Sequence, residues 1–175
     1  MSDVVHAEWT KLRTLPGTGW LLLAAAALTA AVGTIAANAV TCPAGSSCQI
    51  DPAKVSLTGI DLGQAIVAIV AVTVISGEYS TGMIRLTLTA TPGRWRVLAA
   101  KGAVVGAATL VTGAVAVLAS VLAGGLLLDR HGLTPAHGYE ALSLGDGTVL
   151  RAAAGSVLYL ALIALLSLGV AAAVR

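Results

Sequence analysis

The chain has 175 residues, 57% of them hydrophobic and 10% charged, with a formal charge of +2 and a mean hydropathy of +0.92. A soluble domain carries about 25% charged residues, and a soluble fold of this size could not hide so much apolar surface; disorder is excluded on the same ground. An all-α, polytopic helical membrane protein remains, a single membrane domain whose apolar weight falls on Ala, Val, Leu and 20 Gly, small side chains that let helices approach closely in lipid.

Residues 2–15 are too polar to span. Val5, Trp9 and Leu12 fall at i, i+4 and i+7, one stripe of a helix, and Pro16 and Gly17 then break the pattern. A short helix lying in the cytoplasmic interface is expected; the plainer alternative is a frayed tail with one buried Trp. Residues 20–40 form the first span, 21 residues or about 32 Å against a hydrocarbon core of about 30 Å. The run ends in Ala37-Asn38-Ala39, the small-x-small form of a signal-peptidase site, but its length fits a retained span better. The outer loop 41–59 holds Cys42 and Cys48 with Pro43 and Gly45 between them. In an oxidising exterior they form a loop-closing disulfide or stay as two free thiols; with no His nearby they make a poor metal site. The second span, residues 60–77, is uncharged only between Asp61 and Glu78, so it must borrow interfacial residues, thin the bilayer locally or pack inside a bundle.

The inner loop 78–101 is the most informative stretch. Gly82 punctuates the end of the second span. Thr91 followed by Pro92 is a helix-start signal, a capping hydroxyl with Pro in the first helical position. The third helix is therefore expected to begin at Pro92 and to enter lipid after Lys101, with Trp95 at the boundary. Residues 83–90 include Met83, Ile84, Arg85, Leu86 and Leu88 and alternate locally like a strand. A lone strand has no partner in a helical membrane protein, so a short helix is expected there. Apolar residues held on a cytoplasmic loop offer a docking surface for a protein partner; the alternative is a loop resting its Leu and Ile in the headgroups. The third span follows at 102–128, an outer loop at 129–151 and the fourth span at 152–174. Gly59-x-x-x-Gly63 and Gly102-x-x-x-Gly106 permit close helix approach.

Orientation follows from the loops. With the amino terminus inside, four spans bring the carboxyl terminus back to the same side. The inner segments then hold seven Lys/Arg against three acids, a net +4, and the outer segments three against five, a net −2. The positive-inside rule accordingly places both termini in the cytoplasm. The basic excess is too small and scattered to suggest nucleic acid.

These residues resemble a family. An acid ending the second span (Glu78), then Gly82, an apolar run opening with Met83 and Ile84, then Pro92, Arg94 and Lys101 is similar to the permease subunits of ABC transporters of the type-two export class. The opening His6-Ala7-Glu8-Trp9-Thr10-Lys11-Leu12-Arg13-Thr14 looks like the start common in actinobacterial members. The resemblance implies a bacterial plasma-membrane permease. In it, residues 83–90 are a coupling helix seated in a separate cytoplasmic ATPase, residues 4–15 an interfacial elbow helix, and Glu78 a residue fixing the loop. It also implies a second permease subunit, as homo- or heterodimer, and ATP on the partner ATPase rather than on this chain. Members of the family usually carry six spans, so four correspond to the first part of such a subunit.

The motifs missing from the chain narrow the alternatives. No lysine opens a Lys-Ser/Thr pair, so a fused P-loop ATPase is excluded. No span carries a mid-membrane ionisable residue, the usual mark of an ion relay. Ala141-Leu142-Ser143-Leu144-Gly145 misses the nucleophile-elbow pattern by its first glycine. No enzyme, cofactor or metal site is expected. The alternative function is a non-transporting integral membrane subunit that anchors or organises a membrane complex.

Overall fold

The computed structural model of the protein describes residues 2–14, 16–39, 51–80, 82, 93–130 and 145–174. Among these, every regular element is an α-helix: α1 (Ser2–Thr14), α2 (Pro16–Ala39), α3 (Pro52–Ser56), α4 (Ile60–Ser80), α5 (Arg94–Arg130) and α6 (Gly147–Val174). Helices α2, α4, α5 and α6 account for four segments long and apolar enough to cross a membrane, so the fold is that of an all-α, multi-pass membrane protein.

The four long helices form a ring of neighbours in which α2 packs on α4 and α5, and α6 packs on α5 and α4. Two apolar clusters fill it. Toward one end Ile60, Val117, Val121, Val149, Ala153 and Leu160 meet; toward the other Val67, Ala71, Ile75, Val105, Ala164 and Leu168 do. These registers set α5 antiparallel to α4 and α6, and the later half of α2, with Thr29 against Gly59 and Gly63 and Gly33 against Ser56 and Ser120, runs with α5. The start of α2 and the end of α6 therefore lie at one end of the bundle, with α1 beside them.

Size is distributed opposite to the pattern of a soluble core. The largest fully buried side chains are only Val117, Val121, Thr29, Thr109, Ser56 and Ser120, while Trp20, Leu23, Ile35, Val111, Leu122, Leu126, Leu162 and Leu166 are exposed. In lipid this costs nothing, because hydrocarbon tails solvate Leu as well as a neighbour would, and small residues inside bring the backbones together. Buried hydroxyls are satisfied within their own helices. Thr29 donates to the Ala25 carbonyl at 2.7 Å, Thr109 to Val105 at 2.8 Å and Ser120 to Ala116 at 2.9 Å, as a medium without water requires.

The expected element boundaries shift where a cap decides them. The second span, short when counted between charges, becomes the 21-residue α4 by taking in Ile60 and Asp61 at one end and 78–80 at the other, about 32 Å in all. It closes at Gly82, whose φ of 68 lets its N–H donate back to the Tyr79 carbonyl at 3.3 Å, a glycine stop after the helix. Helix α5 begins at Arg94 rather than Pro92. The Gly93 carbonyl accepts from the Arg96 and Val97 N–H groups at 2.9 and 3.3 Å, so Gly93 marks the start. With 37 residues α5 is about 55 Å long and outreaches the hydrocarbon core. Helix α6 starts at Gly147, five residues before the expected 152, because the Asp146 carboxylate accepts from the Thr148 N–H at 3.1 Å; Arg151 is thus helical and exposed. The loop expected at 41–59 contains α3, whose N-cap Asp51 accepts from the Ala53 and Lys54 N–H groups at 3.0 and 3.2 Å.

Close approach is built from glycine. A Cβ on Gly59 would overlap the Thr29 backbone carbonyl, one on Gly63 would lie 2.5 Å from the Thr29 hydroxyl, and one on Gly33 would overlap the Ser56 carbonyl. Gly59-x-x-x-Gly63 thus draws the start of α4 onto α2. Gly102 and Gly106 face Leu165 of α6 at ordinary contact distance. Both motifs serve packing within this chain.

Candidate functional site at the α1 end of the bundle

Helix α1 docks against α5 and, through the single residue Leu15, continues into α2. The expected stripe divides on docking. Val5 is half-buried, Trp9 is 48% exposed, and the residue turned fully inward is Glu8, only 5% exposed. Leu12 lies in the same helix. The helix thus presents a carboxylate to the bundle and leaves its indole outside. Trp20 near the start of α2 and Trp95 in the first turn of α5 are also exposed, at 72% and 82%. All three Trp of the chain therefore stand outward at this end, a level at which amphipathic rings are stable between headgroups and hydrocarbon.

Glu8 meets two ammonium groups. Its Oε1 accepts from Lys11 Nζ at 2.8 Å, one turn along α1. Its Oε2 accepts from Lys101 Nζ at 2.8 Å, two turns into α5, where both side chains are 5% exposed. Lys11 is 32% exposed, so the cluster runs from a half-wet lysine through a buried carboxylate to a buried lysine. Burial alone would raise the Glu8 carboxyl; the hydrogen bonds from Lys101 and Lys11 and their positive charges outweigh it and hold the group below its ordinary value of 4.5. The carboxylate is therefore ionised at neutral pH. Each oxygen has its own partner, which fixes the carboxylate plane, and Lys101 extends a charged tip from the point where α5 turns apolar. The arrangement holds two helices together; it has no nucleophile–base geometry. Among the described residues no group of three or more His, Cys, Asp or Glu could hold a metal ion.

Three of the loop residues singled out by the sequence fall at this same end. Glu78 lies two residues before the end of α4, Gly82 follows that helix and Arg94 opens α5. Met83, Ile84, Arg85, Leu86, Leu88 and Pro92 lie outside the described residues, as do Cys42 and Cys48. Glu8 and Lys101 were the residues missed as a pair. Glu8 stands three residues before Lys11, a helical ion-pair spacing, but nothing local links it to a lysine 93 positions away. One further polar contact crosses the bundle, where the Tyr159 hydroxyl donates to the Gln64 side-chain carbonyl and joins α6 to α4.

No protein-family model matches the chain, and comparisons with curated proteins and with solved structures find no match either.

Proposed function

We propose that the chain is a membrane-spanning permease subunit of an ABC-type exporter in a bacterial plasma membrane. It pairs with a second permease subunit, forms the substrate path with it, and couples to a separate cytoplasmic ATPase that binds and hydrolyses ATP. The cytoplasmic face is the α1 end of the bundle, where the sequence concentrates its cations.

One observation carries most of the support. Helix α1 is fastened beside α5 at the end of the bundle where α4 ends and α5 begins. An elbow helix flanking a coupling loop requires that placement, and a simple membrane anchor does not. The length of α5 adds to it: a helix of about 55 Å outreaches the hydrocarbon core, and Arg96 in its first turn is exposed.

The reading predicts an ABC-type ATPase gene beside this one and is tested by co-purification with its product. The wild-type chain retains that ATPase through detergent extraction, and the double variant L86D/L88D, which places two carboxylates on the apolar loop, loses it. Equal retention by both would remove the coupling-loop assignment and leave the anchoring role as the better account.

A further inference from the structure

We propose that Glu8 is a positioning residue, a clasp between α1 and α5 that sets where the amino-terminal helix stands on the cytoplasmic face. The inference deepens the permease reading and rests on it only for its effect on the ATPase; the clasp itself is a property of this chain alone.

Helix α1 has two attachments to the bundle. One is to α2, which follows it closely in the chain, beginning at Pro16. The other is its packing on α5, and there the inward-facing group is a carboxylate rather than a large apolar side chain. Val5 is only half-buried and Trp9 points away, so apolar burial by these two residues holds α1 weakly, whereas Glu8 and Lys101 are sealed together at 2.8 Å. A buried ion pair contributes little over an apolar contact of the same shape, but losing one partner is costly because the other stays buried and charged. Such a contact is poor glue and a good locator: it is satisfied in one place and strongly penalised elsewhere. Lys11 sharpens it by occupying Oε1, so that Oε2 is the oxygen offered to Lys101. Lys101 lies on the helix that begins just after the loop, so the pair ties the position of α1 to the loop-bearing helix. Glu8 acts through that placement and touches no substrate.

The test is hydrogen exchange on the chain in lipid nanodiscs, read over residues 2–14, with ATPase stimulation measured on the same preparations. E8Q and K101Q should each raise exchange in 2–14 by at least about tenfold while α4 and α6 keep their protection, which shows the bundle intact. The swap E8K/K101E, made together with K11Q so that no second ammonium faces the new lysine, should restore protection above either single variant, since the pair is re-formed with its signs reversed. ATPase stimulation should fall in the single variants and recover with the swap. Unchanged exchange in E8Q and K101Q, or a swap no better than its parents, would overturn the clasp. Release of α1 with full ATPase stimulation would overturn the positioning role. A wild-type chain that binds no ATPase would sink the permease reading, and the exchange data would still decide the clasp.

Discussion

At the scale of residues, Thr29 and Glu8 show two ways a small side chain can decide a helix contact. Thr29 of α2 sits where Gly59 and Gly63 come closest, and its hydroxyl is already engaged with Ala25. There is no room to give, because the atom opposite Gly59 is a backbone carbonyl. G59A should therefore cost about 1–3 kcal/mol through overpacking and lower the thermal midpoint in detergent. G155A, where an added Cβ meets nothing within 4 Å, should leave the midpoint near wild type. Glu8 sets a pH dependence of definite sign. Its folded-state value is depressed, so the stability it adds is fully present above the ordinary carboxylate value of 4.5 and is lost as pH falls through the lower folded value. Exchange in residues 2–14, corrected for intrinsic rate, should stay flat from neutral pH to about 5 and rise only under stronger acid; a rise already between pH 7 and 6 would contradict the assignment. These contacts were differently legible. Gly59 and Gly63 announced close approach by their spacing, although nothing in the sequence names Thr29 as their partner. The Glu8–Lys101 pair spans 93 positions and exists only once α1 has docked.

At the scale of elements, what was legible follows the range of the interaction. Spans are read from transfer energies that add residue by residue, so α2, α4, α5 and α6 emerge from hydropathy alone. Their ends depend on single capping groups, and there the reading drifts. Asp146 starts α6 five residues early, and Gly93 starts α5 later than the Thr91-Pro92 signal indicates. Helix α3 is instructive because its signal was present. Asp51 before Pro52 is an N-cap followed by Pro in the first turn, the same grammar as Thr91-Pro92, but a helix of five residues leaves no hydrophobic period to draw attention to it. For α1 the amphipathic stripe predicted a helix and placed it correctly outside the spans. The stripe says nothing of what the helix turns toward the bundle, which is Glu8. A buried, paired charge runs against hydrophobic patterning, so periodicity could not have marked it.

At the scale of the whole molecule, an inside-out distribution of size and an asymmetric distribution of charge describe one object. Small residues inside and large apolar residues outside fit a solvent that is itself hydrocarbon. On the proposed orientation the α1 end, with the +4 charge, faces the cytoplasm, as the positive-inside rule expects. On that orientation Cys42 and Cys48 lie outside. An impermeant thiol reagent should label them in intact cells after mild reduction, and labelling only after permeabilisation would reverse the orientation. Fold class and span count were legible because a bilayer makes few demands and enforces them over long stretches. The functional assignment was not settled by the same route, since it hangs on a short loop whose meaning depends on a partner chain. The most direct measurement is therefore ATPase stimulation in nanodiscs holding this chain and the partner ATPase that the proposed function requires. The wild-type chain should raise ATP turnover above that of the ATPase alone, and L86D/L88D should return turnover to the ATPase-alone level while the spans stay folded. Stimulation that is absent with wild type, or undiminished in L86D/L88D, would contradict the account.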